Sequence, residues 1–129
     1  VVKVRVNQSI FRTMILATYN YKCCITGIEN SDLLIASHIV PWSNDEKNRL
    51  NPMNGLCLNA LHDKAFDKGL MTVDALNYTI KISARLKTKI VSESIANNFL
   101  KLEGKSISLP DKFLPSREFL KMHNDFAKL

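Results

Sequence analysis

The chain has 129 residues, 46% of them apolar and 23% charged, which suits one packed domain and excludes an intrinsically disordered chain. No run of roughly 18 uncharged apolar residues occurs, so the sequence carries no membrane-spanning helix. Lys and Arg outnumber Asp and Glu by 18 to 12, a net charge of +6 that suits a polyanionic partner, and residues 81–105 hold +4 of it.

The opening Val1-Val2-Lys3, without an initiating Met or an apolar signal segment, sets the expectation of a piece of a longer protein. Three cysteines, with Cys23 and Cys24 adjacent and Cys57 apart, do not make a disulfide framework. Buried, reduced thiols and a cytoplasmic location are therefore expected.

In chain order, Ser9 is placed to cap a helix over about 10–20, with Ile10, Met14 and Ala17 on one face and Phe11 and Ile15 beside it. Cys24-Ile25-Thr26-Gly27 reads as a short extended piece ending in a turn. The apolar run Leu33 to Val40, stopped by Pro41, predicts a strand. Trp42 beside that proline is expected to pack. Asn44 to Asn54 is polar and turn-rich, punctuated by Asn51-Pro52. Gly55-Leu56-Cys57-Leu58 predicts a second strand, followed by a helix over 60–68 with Gly69 as its C-cap. Two short runs, 70–73 and 78–82, flank Asp74-Ala75-Leu76-Asn77 and suggest a hairpin. A helix over about 92–100, capped by Ser92, precedes a short strand near 106–109. A last helix starts from Ser116, with Phe119, Leu120, His123 and Phe126 on one face. His123 reads there as a core histidine outside any site.

The stretch 37–69 carries the chemistry. His38 falls on a strand, Asn54 on the loop before the next strand, and His62 in the first turn of a helix. A strand–loop–strand–helix unit can set the two imidazoles across a small cleft. One imidazole near neutral pH suits a general base, and the other a divalent-cation ligand. Asn54, with donors and acceptors on one planar group, can tie down the loop backbone. These are the parts that phosphodiester hydrolysis needs.

His38, Asn54 and His62 in this order resemble the His-Asn-His (HNH) endonucleases, built on the ββα-metal finger. Cys24-Ile25-Thr26-Gly27, Ala36-Ser37-His38-Ile39-Val40-Pro41-Trp42, Asn51-Pro52-x-Asn54-Gly55-Leu56 and Leu61-His62-x-x-x-Phe66-Asp67-x-Gly69-Leu70 resemble the branch found at the C-terminal end of bacterial restriction-type endonucleases. The tail from Leu109-Pro110 to His123 is similar to that branch as well. The resemblance implies an α+β domain over residues 1–129, with the ββα-metal core at about 33–70, an N-terminal helix, and C-terminal strands and helices. It implies metal-dependent hydrolysis of double-stranded DNA, with His38 as general base, Asn54 as the loop-fixing residue and His62 as a metal ligand. Mg2+ is the expected ion, with Mn2+ as a substitute.

In many relatives an Asp or His precedes the base and binds the metal, whereas Ser37 stands here. Asp63 and Asp67 point about 100° and about 140° away from His62 around the helix, so they do not share its face. A structural zinc is not expected, because Gly27 stands where the second cysteine after Cys24 would sit and only Cys57 remains elsewhere. Lys81, Arg85, Lys87 and Lys89 are candidates for contacts to DNA phosphates. An upstream recognition domain and a homodimer complete the expected partners, with no membrane. Three other readings stay open: a DNA-binding domain that cuts weakly, an RNA-directed nuclease, and a toxin-type or interaction module facing an acidic partner.

Overall fold

The computed structural model describes residues 2–41 and 46–129, with the Glu46 side chain outside the description. Trp42 and residues 44–45 of the polar loop thus lie outside the described residues. Helix α1 spans Val2–Thr18, strand β1 Leu34–His38, strand β2 Gly55–Asn59 and helix α2 Ala60–Asp67. Strands β3 (Met71–Val73) and β4 (Ile80–Ile82) follow, then helices α3 (Glu93–Asn98) and α4 (Arg117–Ala127). The result is an α+β fold around a ββα unit, as the sequence led one to expect. Among the described residues no helix is long and apolar enough to cross a membrane.

β1 and β2 pair antiparallel, from Leu34 opposite Asn59 to His38 opposite Gly55. The chain then enters α2 without a linker, because the Asn59 side chain accepts from the His62 amide and caps the helix. At the other end Gly69 adopts φ +68°, while the Gly69 and Leu70 amides bond the Phe66 and Ala65 carbonyls. That is a Schellman ending, and it needs a residue that tolerates the left-handed region.

Helix α1 begins at Val2 rather than after Ser9, since nothing between Val2 and Ser9 breaks a helix. Its buried face also differs from the expected one. Phe11, Ile15 and Leu16 are buried, while Ile10 is 48% exposed. The reason lies across the interface at Gly55. A Cβ there would collide with the side chains of Ile15 and Phe11, so the bare glycine admits them and sets the rotation of α1. Residues 24–26 form a turn instead of an extended piece, with Gly27 at φ +78°. The expected strand near 106–109 reduces to a single bridge between Thr79 and Ser106. All three cysteines are buried and free.

Helix α4 is strongly two-sided, but Phe126 is 60% exposed, and Asn124 and Ala127 are buried in its stead. Polar bonds decide that rotation. His123 Nε2–H donates to the Phe66 carbonyl at 2.9 Å, and Nδ1 accepts from the Thr72 hydroxyl at 2.6 Å. The Asn124 amide donates to Thr72 Oγ1 and the Val73 carbonyl, and its Oδ1 accepts from the Ala75 amide. The His123 ring stacks on Phe66 at 3.6 Å. Burial pushes the His123 pKa down to about 4, against the pull of the Phe66 carbonyl.

A test follows from that value. Between pH 6.5 and about 4 the unfolded chain binds a proton at His123 that the folded chain refuses, so stability falls as pH falls through this window. The loss from this residue is about 3 kcal/mol. Chemical denaturation of wild type and His123→Gln across pH 4–7 should give a flatter profile for the variant; parallel profiles would refute the assignment.

Candidate active site

A cleft of about 470 Å³ opens between β1, α2 and α4. Ser37 and His38 from the end of β1, together with Asp63 and Asp67 from α2, supply its polar side. Ile35, Met122 and Phe126 line it as well.

His38 is half-buried and held from two directions. Its ring stacks on Phe11 with centroids 3.8 Å apart and planes within 8° of parallel. Its Nε2–H donates to the Arg49 carbonyl at 3.0 Å. A carbonyl can only accept, so the proton sits on Nε2 and the ring lone pair on Nδ1. Burial lowers the His38 pKa, with the Arg49 carbonyl pulling the other way, so the neutral form dominates at neutral pH.

Asn54 is 1% exposed and makes the bonds that shape this end of β1. Its Oδ1 accepts from the Val40 amide at 2.8 Å, and its Nδ2 donates to the Val40 and Asn48 carbonyls at 3.2 Å each. The Asn54 carbonyl accepts from the Ile39 amide at 3.0 Å. Asn54 thus pins the two residues after His38, Ile39 through its backbone and Val40 through its side chain. The side chain also holds the residue before Arg49, whose carbonyl orients the imidazole.

His62 is placed elsewhere. It is 1% exposed and does not line the cleft, and both ring nitrogens are engaged. Nε2–H donates to the Asn98 carbonyl at the end of α3, and Nδ1 accepts from Asn59 Nδ2, each at 2.7 Å. The ring edge meets Phe99 at 5.2 Å. Burial lowers its pKa. The same Asn59 amide reaches Cys23 Sγ at 3.3 Å and Thr26 Oγ1 at 3.4 Å, so His62 belongs to a buried polar knot joining α2 to the 23–26 turn and to α3. The expectation of a metal ligand at His62 does not fit this geometry.

Asp63 and Asp67 take the open face of α2, since residues four apart share a face. Burial raises the Asp63 pKa, with the Ser37 hydroxyl and Lys64 opposing it. Burial also raises Asp67, followed by the negative charge of Asp63, while Lys64 and Lys68 oppose. Two carboxylates in one cleft, both raised by burial and one of them also by the charge of the other, form a site that a cation would suit. Ser37 Oγ, buried beside them, faces Asp63 but makes no well-formed hydrogen bond among the described residues. Two carboxylates and a buried hydroxyl without a well-formed bond are hard oxygen donors, and they fit a Mg2+-class ion that keeps several waters. Among the described residues no three of His, Cys, Asp and Glu converge on one point. The signal in the sequence was the four-residue spacing of the aspartates, which measuring both from His62 conceals.

Residues 23–74 match the sequence profile of the HNH endonucleases. This segment belongs to the HNH endonuclease family. It runs from the 23–26 turn through β1, β2 and α2 to the end of β3, and so contains His38, Asn54, Asp63 and Asp67. No curated protein matches the chain. HNH nucleases generally use a divalent metal, in keeping with the oxygen donors in the cleft of this HNH segment.

The four basic residues singled out for DNA contact do not line the cleft. Lys81 lies 3.4 Å from Asp74 and Lys87 2.8 Å from Glu103. Arg85 donates to the Lys68 carbonyl at 2.9 Å, and Lys89 is exposed. Surface ion pairs of this kind hold only about 0–1 kcal/mol each, so a phosphate can compete for Lys81 and Lys87 at small cost.

Proposed function

We propose that the chain is a metal-dependent endonuclease that hydrolyses phosphodiester bonds of double-stranded DNA, with His38 as the general base. The observation that carries this reading is the His38 imidazole, oriented by the Arg49 carbonyl and Phe11 in a cleft with two aspartates. Asp63, Asp67 and Ser37 would hold the divalent ion. When bound, that ion neutralises charge on the scissile phosphate and on the leaving oxygen. His38 Nδ1 takes a proton from a water, whose oxygen attacks phosphorus in line with the 3′ oxygen. The P–O3′ bond breaks, the 3′ oxygen takes a proton from solvent, and the ends are a 5′-phosphate and a 3′-hydroxyl. Asn54 acts through the loop as a positioning residue. Lys81, Arg85, Lys87 and Lys89 hold backbone phosphates outside the cleft and read no sequence. Restriction-type action, in which another domain or a second copy supplies recognition and the second cut, is the setting that the motifs around this core favour.

Supercoiled plasmid incubated with the protein and Mg2+ or Mn2+ should become nicked, and chelation by EDTA should stop it. Intact plasmid under both metals would refute the proposal. A second reading, DNA binding with feeble cutting, is favoured by the neutral Ser37 where a charged ligand would hold the ion more tightly. It predicts salt-sensitive binding with no nicking.

A further inference from the structure

The cleft has a second wall of different chemistry. Helix α4 presents Met122, 49% exposed, and Phe126, 60% exposed, four residues apart on one stripe. Ile35 from β1 adds to it at 36% exposed. The Phe126 ring is seated rather than dangling. A Cβ on Gly69 would lie 3.3 Å from its Cε2, and the His123 ring stands 5.6 Å away at 59°. The same point at Gly69 is 3.6 Å from an Arg85 guanidinium nitrogen, held in place by the Lys68 carbonyl. An exposed aromatic face and the His38–aspartate wall therefore line one cleft, and a fixed cation stands just outside it beside the aromatic ring.

We propose that Phe126 is a stacking platform for a single unstacked nucleobase next to the scissile phosphate, with Met122 and Ile35 as its apolar rim and Arg85 on a neighbouring phosphate. This rests on the nuclease reading and names the form of substrate that the site takes. A phosphate on the His38 side brings its base along, one sugar away. Aromatic rings in nucleic-acid clefts gain their energy from the flat face of a base. In an intact duplex both faces are covered by neighbours, so the base must be unpaired, bulged, terminal or turned out of the stack. The charge pattern supports a nucleotide over a second protein copy, because the Arg85 guanidinium lies beside the aromatic ring to meet a phosphate, while the two acids of the cleft would take the cation that accompanies it.

The test reads binding without cleavage. In a His38→Ala background with Mg2+, a labelled DNA hairpin with one unpaired base is compared with a fully paired hairpin. The bulged hairpin should bind more tightly, and Phe126→Ala should remove that preference by weakening the bulged hairpin about tenfold while leaving the paired one unchanged. Phe126→Trp should keep the preference and add indole quenching on binding. Thermal melting of both variants confirms that they fold. Equal affinity for the two hairpins, no binding of either, or a preference that survives Phe126→Ala overturns the proposal. So does a shift from dimer to monomer on Phe126→Ala in sedimentation, since the stripe would then cover a second copy. Failure of wild type to nick plasmid strikes the nuclease reading, whereas intact nicking with no base preference strikes this platform alone.

Discussion

His38→Ala is expected to lower plasmid nicking by about 10²–10⁴-fold, the range that a positioned general base contributes. The chain around it holds this ring in place. Phe11 stacks on one face, the Arg49 carbonyl takes the Nε2 proton, and Asn54 anchors the backbone on both sides of that contact. Losing the ring also strips Phe11 of its stacking partner, so a fall of about 1–2 kcal/mol in stability should accompany the loss of activity. His38→Gln separates the two effects. It fills part of the space but is not basic, so it should melt closer to wild type and still fail to cut. Nicking by His38→Gln at a rate near wild type would refute the role of His38 as base.

The second large effect sets Asp63 and Asp67 against His62. Asp63→Asn with Asp67→Asn should raise the Mg2+ concentration for half-maximal nicking more than tenfold. The melting temperature should stay level or rise, because the two carboxylates repel one another. His62→Ala should do the reverse. It leaves the Asn98 carbonyl and the Asn59 amide short of partners in a buried place, at a cost of about 2–4 kcal/mol. A drop of roughly 10 °C in melting temperature is then expected, with the Mg2+ requirement unchanged for the folded fraction. If His62→Ala instead raised the Mg2+ requirement with little change in melting, His62 would be the ligand after all.

Much of the fold is legible before any coordinates. Alternation and apolar runs locate β1, β2, β3 and β4, while Pro41 and Asn51-Pro52 mark the loop between the first two strands. The caps at Ser92 and Ser116 set the starts of α3 and α4, because a side-chain oxygen there accepts from an amide three residues on. Where the reading of α1 and of the 106–109 segment departs from the structure, the deciding partner is remote. The bare Gly55 chooses the buried face of α1, and the 106–109 segment meets its neighbour through the bridge between Thr79 and Ser106.

For the site, the sequence by itself determined which groups are available: an imidazole at the end of a strand, an asparagine before the next strand, and aspartates four apart on the following helix. Only the tertiary structure decided which of them share a cleft. A histidine in the first turn of a helix turns toward whichever partner the rest of the chain supplies, and for His62 that partner is a carbonyl 36 residues away. The same holds for Phe126, left on the cleft wall because His123 and Asn124 spend their hydrogen bonds on Phe66, Thr72 and Val73. Spacing along a helix says which residues share a face; where that face points is set by hydrogen bonds and packing to segments far away in the chain.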